Sequence, residues 1–154
     1  MDNLSNIPLV VREIKLSYSC AAKPSQLPQI TSSHEAYKIL LETWDKDKIE
    51  FVEQFKIVLL NTANRVLGIC QISEGGQSGT VADAKIIFSC ALKAHAANII
   101  LAHNHPSGNT NPSKSDDALT AKLREAGKYL DLPIIDHIIV TNEGYYSYAD
   151  EGMI

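Results

Sequence analysis

The stretch Asn98-Ile99-Ile100-Leu101-Ala102-His103-Asn104-His105-Pro106-Ser107-Gly108-Asn109-Thr110-Asn111-Pro112-Ser113-Lys114-Ser115-Asp116 decides how this chain is organised. Its first five residues are short and nearly all apolar, the text of a strand buried on both faces. A loop rich in Pro, Gly and Asn follows. Ser113 with Asp116 three residues on is then a capping box. Beyond it Leu119, Leu123, Ala126 and Leu130 recur at helical spacing as the inner side of a helix. A buried strand that passes through a loop into an amphipathic helix is an α/β unit. In sheets of that class, ligands collect beyond the carboxyl ends of the strands.

The same reading extends in both directions. Upstream, Ser32 with Glu35 marks a helix start, and Tyr37, Leu40, Leu41 and Trp44 form its apolar stripe. That helix is expected to end within Asp45 to Lys48. Phe51, Glu53, Phe55, Ile57 and Leu59 share one strand parity over Phe51 to Leu60. Asn61 to Asn64 is a turn, and Val66 to Ile72 is the return strand of a hairpin. After the glycine-rich loop Glu74 to Gly79, Asp83 is an N-cap. The helix it starts carries Ala84, Ile87, Phe88, Ala91, Leu92 and His95 on one stripe, which makes His95 a core residue. Downstream, Ile134 to Val140 and Tyr145 to Tyr148 read as strands around Asn142-Glu143-Gly144. Helices alternating with strands on one sheet predict an α/β layered domain with a mixed sheet over residues 32–154. Residues 1–31 read as an arm. Ile14, Leu16 and Tyr18 suggest a short half-exposed strand in it, and Pro24 and Pro28 exclude a helix.

Composition narrows the function classes. The chain of 154 residues has 45% hydrophobic and 21% charged residues, which sets disordered and fibrous classes aside. No apolar run approaches the ~20 residues of a membrane span, and Met1 to Asn6 lacks the start of a secretory signal. Cys20, Cys70 and Cys90 are odd in number and widely spaced, as expected of reduced cytoplasmic thiols rather than a disulfide frame. A net charge of -4, with dispersed lysines and arginines, disfavours nonspecific nucleic-acid binding.

Chemistry concentrates where the buried strand ends. Side chains two apart on a strand point the same way, so His103 and His105 can aim at one point while Asn104 faces the other side. Asp116, eleven residues after His105, lies in the first turn of the following helix, and the loop can bring its carboxylate back. Two imidazoles and one carboxylate form a three-ligand zinc set that leaves a fourth position for water. Taken singly, each residue has an ordinary explanation: a surface or core His-x-His pair, a capping box, a loop proline. Together at a strand end they point to metal. His34 has no visible partner. His137, after Asp136, reads best as a buried, hydrogen-bonded histidine.

The pattern His103-x-His105, seven residues, Ser113, two residues, Asp116 resembles the JAB/JAMM (MPN) metalloprotease family. His-Asn-His-Pro-Ser-Gly from His103, Leu59-Leu60-Asn61, Asn64-Arg65, Asp136-His137-Ile138-Ile139 and Tyr145-Tyr146-Ser147 are similar to its RadC branch, over roughly Ser32 to Asp150. The resemblance implies a deaminase-like three-layer α/β/α sandwich. It also implies zinc on His103, His105 and Asp116, Glu53 as general base toward the water, and Ser113 at the oxyanion. The plain alternative for Glu53 is a strand-edge acid paired with a lysine; Glu50, of the other strand parity, and Glu74, in the glycine loop, are weaker candidates. The RadC likeness raises a second reading of Asp136-His137, in which one of the two stands behind a zinc ligand and orients it.

Three functions follow as expectations. The first is a cytoplasmic zinc peptidase or isopeptidase-like hydrolase acting on a protein or peptide. The second is a DNA-repair or nucleic-acid processing accessory of the RadC type, weakened by the charge and by an amino-terminal arm with no text for the helix-hairpin-helix of longer relatives. The third is a noncatalytic MPN scaffold, which would need no such set of residues. His103-Asn104-His105 is not an HNH nuclease, whose residues are dispersed, and the cysteines lack the spacing of a zinc nucleobase deaminase.

Overall fold

Apolar strands with helices on either side produce a sheet whose central strands are almost entirely buried. A computed structural model describes residues 13–77 and 79–154. In chain order the elements are a single 3₁₀ turn (Pro24–Gln26), which Pro24 starts rather than prevents, then α1 (Ser33–Thr43), β1 (Gln54–Leu60), β2 (Val66–Glu74), α2 (Ala84–Lys93), β3 (Asn98–Asn104), α3 (Lys114–Tyr129), β4 (Ile134–Val140) and β5 (Tyr145–Ser147). The strands form one sheet in the order β2-β1-β3-β4-β5. β3 and β4 run parallel, joined by α3 as crossover, and the other neighbours are antiparallel. The sheet is therefore mixed, as the sequence predicts.

Each face has its own core. On one side Tyr37, Leu40 and Trp44 of α1 and its end pack on Val58, Leu60, Ile100, Ile138 and Val140. On the other, Ile87, Phe88 and Ala91 of α2 and Leu123 of α3 pack on Phe55, Ile57, Leu59, Ile99 and Leu101. The result is three layers, α/β/α. Every residue of β1 is buried because both faces are covered. Each fully buried Leu, Ile or Phe contributes about 1.5–3 kcal/mol relative to exposure.

Side-chain caps fix where the helices start. The Ser32 hydroxyl accepts the Glu35 amide, the Asp83 carboxylate accepts the Lys85 amide, and Ser113 forms a reciprocal box with Asp116. Gly127 is needed for close approach: a Cβ there would lie 2.4 Å from the Leu132 carbonyl oxygen, where the chain turns back under α3.

Several expectations are corrected. Ile14, Leu16 and Tyr18 lie in irregular chain, exposed, with no strand among residues 13–19; the rest of the arm's beginning, 1–12, lies outside the described residues. The strand read from Phe51 starts at Gln54, and Phe51 is exposed in the turn ahead of it. His95 is not core. It follows the end of α2 with φ 55°, exposed, where the amides of His95 and Ala96 close the helix onto Leu92 and Ala91. Leu130 likewise falls at the cap of α3 and is exposed. Helical spacing runs past a helix's real end when the capping residues are not glycine. No helix of the described residues is long and apolar enough to cross a membrane.

Candidate metal centre

The site is built at the carboxyl end of β3. Phe55 of β1 pairs with His103 of β3, so continuing that antiparallel register sets Glu53 opposite His105. Glu53 precedes β1 by one residue, yet its backbone still pairs with the chain after β2: its amide donates to Gly76 O at 2.9 Å and its carbonyl accepts the Gly75 amide at 2.8 Å. Phe55, His103 and Glu53 share one face of the sheet, the face that α3 covers. Residues 106–113 then fold back. Gly108, at φ 80°, makes the turn, and its amide donates to His105 O at 3.0 Å.

Three ligand atoms converge. His103 Nε2 lies 3.0 Å from His105 Nε2 and 3.3 Å from Asp116 Oδ1, and His105 Nε2 lies 3.5 Å from Asp116 Oδ2. These three residues form a group able to hold a metal ion. A tetrahedral ion with bonds of about 2.0–2.1 Å separates its donors by about 3.3 Å, which the three distances bracket. The donor set thus fits a metal. Asp116 is steered by the cap: its Oδ2 accepts the Ser113 amide at 2.7 Å. His105 is steered by its Nδ1, 2.6 Å from the Asn109 carbonyl oxygen.

Electrostatics follow from this crowding. Burial raises the Asp116 carboxyl, but its close contacts with the two imidazoles and the Ser113 amide outweigh that and hold it far below the usual carboxylate range. Its bond to Asp116 raises the His105 imidazole, against desolvation. Burial raises Glu53, while the two histidines pull it part of the way back. A cation between the ligands would pull it down further.

The other sequence candidates are also located. Glu74 is bound to Lys48 at 2.9 Å and to Gln54 Nε2 at 2.7 Å, and Glu50 accepts Asn142 Nδ2 at 2.7 Å, so both are engaged away from the triad, whereas Glu53 feels both histidines and Asp116. Ser113 is exposed on the cleft. Its oxygen accepts the Asp116 amide at 3.1 Å, which leaves its own hydrogen free to donate. The cleft holds about 570 Å³ and is bordered by Glu53, Gln77, Thr80, His105, Ser113 and Asp116 among others, with no lysine or arginine among the described residues lining it. Asp136 does not reach the ligands: its carboxylate takes the His137 and Ala149 amides and the Ser147 hydroxyl. His137 does, with Nε2 2.8 Å from His103 Nδ1. It is at once the buried, hydrogen-bonded histidine and a neighbour of a ligand. Thr120, 2.6 Å from His137 Nδ1, escaped the sequence reading. The one signal for it was its position four residues after Asp116 on α3.

The model of the RadC-like JAB domain family matches residues 30–153. The chain belongs to that family. Its RadC-like JAB domain is 41% identical over 128 residues to a UPF0758 protein of Flavobacterium johnsoniae, covering 83% of this chain and 55% of that one. It is 41% identical over 120 residues to a UPF0758 protein of Salinibacter ruber, covering 78% and 49%. It is 37% identical over 126 residues to one of Alkaliphilus metalliredigens, covering 82% and 53%. The chain therefore spans about half the length of the curated relatives it matches. Their names carry no activity, so the chemistry has to be argued from the site.

Proposed function

We propose that this RadC-like JAB domain is a zinc-dependent hydrolase that cuts an amide bond in a protein or peptide. The observation that carries the reading is the convergence of two imidazole Nε2 atoms and a carboxylate beside a buried glutamate, at the wall of an open cleft. His103, His105 and Asp116 would hold the ion. Zinc, when bound, supplies Lewis acidity and makes water a nucleophile near neutral pH. Glu53 takes the proton from the attacking water as oxygen bonds to the carbonyl carbon, then delivers it to the departing amine nitrogen as the C–N bond breaks. The Ser113 hydroxyl donates to the carbonyl oxygen as it gains charge. The polar cleft suits a peptide backbone, and among the described residues no lysine or arginine lines it to take phosphates.

Zinc per chain, measured by elemental analysis on the protein and on a His103→Ala/His105→Ala double variant, tests this. The expected values are near one for the parent and near zero for a folded double variant, followed by cleavage in a peptide-library screen. No zinc in either, even after incubation with the metal, ends the hydrolase reading.

The same ligand set has a pH signature. In the metal-free protein His105 has a raised pKa, so the stability it contributes is full below the ordinary histidine value of about 6.5 and is lost as pH rises through the folded value. His137, whose pKa burial pushes well down, acts in the opposite sense, but only below about pH 6.5. Above that pH the melting temperature of the metal-free protein should therefore fall, and added zinc should abolish the fall, because the ion replaces the bridging proton. Thermal melts from pH 6.5 to 9 with and without zinc check this; a flat metal-free profile contradicts it.

A further inference from the structure

The hydrogen bonds behind His103 have only one consistent direction. The Thr120 hydroxyl lies 2.7 Å from the Asp116 backbone carbonyl oxygen, which can only accept, so Thr120 spends its hydrogen there. Thr120 Oγ1 also lies 2.6 Å from His137 Nδ1, and must accept from it. His137 is fully buried, and both its ring nitrogens are taken, by Thr120 and His103, with no carboxylate on either. It is therefore a neutral ring with hydrogen on Nδ1 and a lone pair on Nε2. That lone pair faces His103 Nδ1 at 2.8 Å, so His103 must carry its hydrogen on Nδ1. In the neutral ring Nε2 is then the nitrogen without hydrogen, and it is the atom that points at His105 and Asp116.

We infer that Thr120 and His137 are positioning residues, which set His103 in the one tautomer able to offer Nε2 to a metal. The inference rests on the metal reading of the triad for its purpose, but the tautomer itself does not. Packing holds the relay rigid. Tyr148 stacks on His137 with centroids 5.0 Å apart and planes 12° from parallel, and Phe55 meets its edge at 5.7 Å. The Tyr148 hydroxyl is anchored on Asp117 at 2.8 Å, one residue from the ligand on α3. Reversing the chain would give His137 its hydrogen on Nε2, force His103 to carry one on Nε2, and aim an N–H at the place of the ion. Partners of this kind behind a ligand change metal affinity by about 10–100-fold.

Thr120→Val keeps the shape and removes the acceptor, while Thr120→Ser restores it. The expected result is zinc affinity, by competition with a chromophoric chelator, lowered about 10–100-fold in Thr120→Val and returned to the parent value in Thr120→Ser. A purely structural role for Thr120 would not be restored this way at equal melting temperature. Nitrogen-15 NMR of the metal-free protein at pH 8 gives the second readout: hydrogen on Nδ1 of both His103 and His137 in the parent, shifting to Nε2 in Thr120→Val. Parent-like zinc affinity in a folded Thr120→Val protein, or hydrogen on Nε2 of the parent's His103, overturns the inference. A parent that binds no zinc but shows both Nδ1 hydrogens overturns the metal reading and leaves the relay standing.

Discussion

Glu53→Gln lowers turnover by about 10²–10⁴-fold while the protein keeps its metal and its fold. Glutamine has the shape of glutamate and can still pack at a site only 9% exposed, but it cannot take a proton. The backbone bonds to Gly75 and Gly76 that hold residue 53 in place do not involve its side chain. Burial disfavours the charged carboxylate, as its raised pKa records, so the neutral amide should leave the melting temperature at or above that of the parent. Loss of activity with undiminished stability is the mark of a group kept for chemistry rather than for packing. Steady-state hydrolysis of a peptide found by the screen, run beside a zinc determination, measures both halves. Unchanged turnover removes Glu53 from the mechanism, and loss of zinc together with turnover would make it a ligand instead.

Asn104→Ala should be among the most destabilising single changes in the domain, by about 3–4 kcal/mol. Asn104 is fully buried between the two histidines, on the opposite face of β3. Its Oδ1 accepts the Gln54 amide at 2.7 Å, and its Nδ2 donates to the carbonyl oxygens of Ile49 and Val52 at 2.8 and 2.9 Å. Alanine would strand two buried backbone groups and a part-buried third, and leave a void. Those partners flank Glu53 on both sides, so this one amide ties the general-base position to the strand that carries both imidazoles. Urea denaturation of the metal-free protein reports the loss directly. A change below about 1 kcal/mol would mean that water replaces all three bonds.

Much of the fold was legible because it is written in short-range patterns. The apolar run of β3, the parity of Phe55, Ile57 and Leu59, and the caps at Ser32, Asp83 and Ser113 each depend on residues at most a few positions apart. So does the common direction of His103 and His105, which follows from the strand repeat alone. The failures were of the same local kind: alternation at Ile14, Leu16 and Tyr18 and at Phe51 named strand where there is none, and His95 and Leu130 continued a helical spacing past helices that ended at non-glycine caps.

What the sequence by itself determined, then, was the set of elements, the mixed α/β layering and the strand end at which ligand-type residues gather. Only the tertiary structure decided which distant groups meet there. Glu53 stands opposite His105 because β1 pairs with β3 in one register, with Phe55 against His103. His137 reaches His103 because β4 lies parallel to β3 with His137 beside Leu101, and Thr120 reaches His137 because α3 packs over both. The physical reason is range. Periodicity and caps are enforced within a turn or a strand, whereas register and helix docking are set by burying two whole faces of a sheet at once.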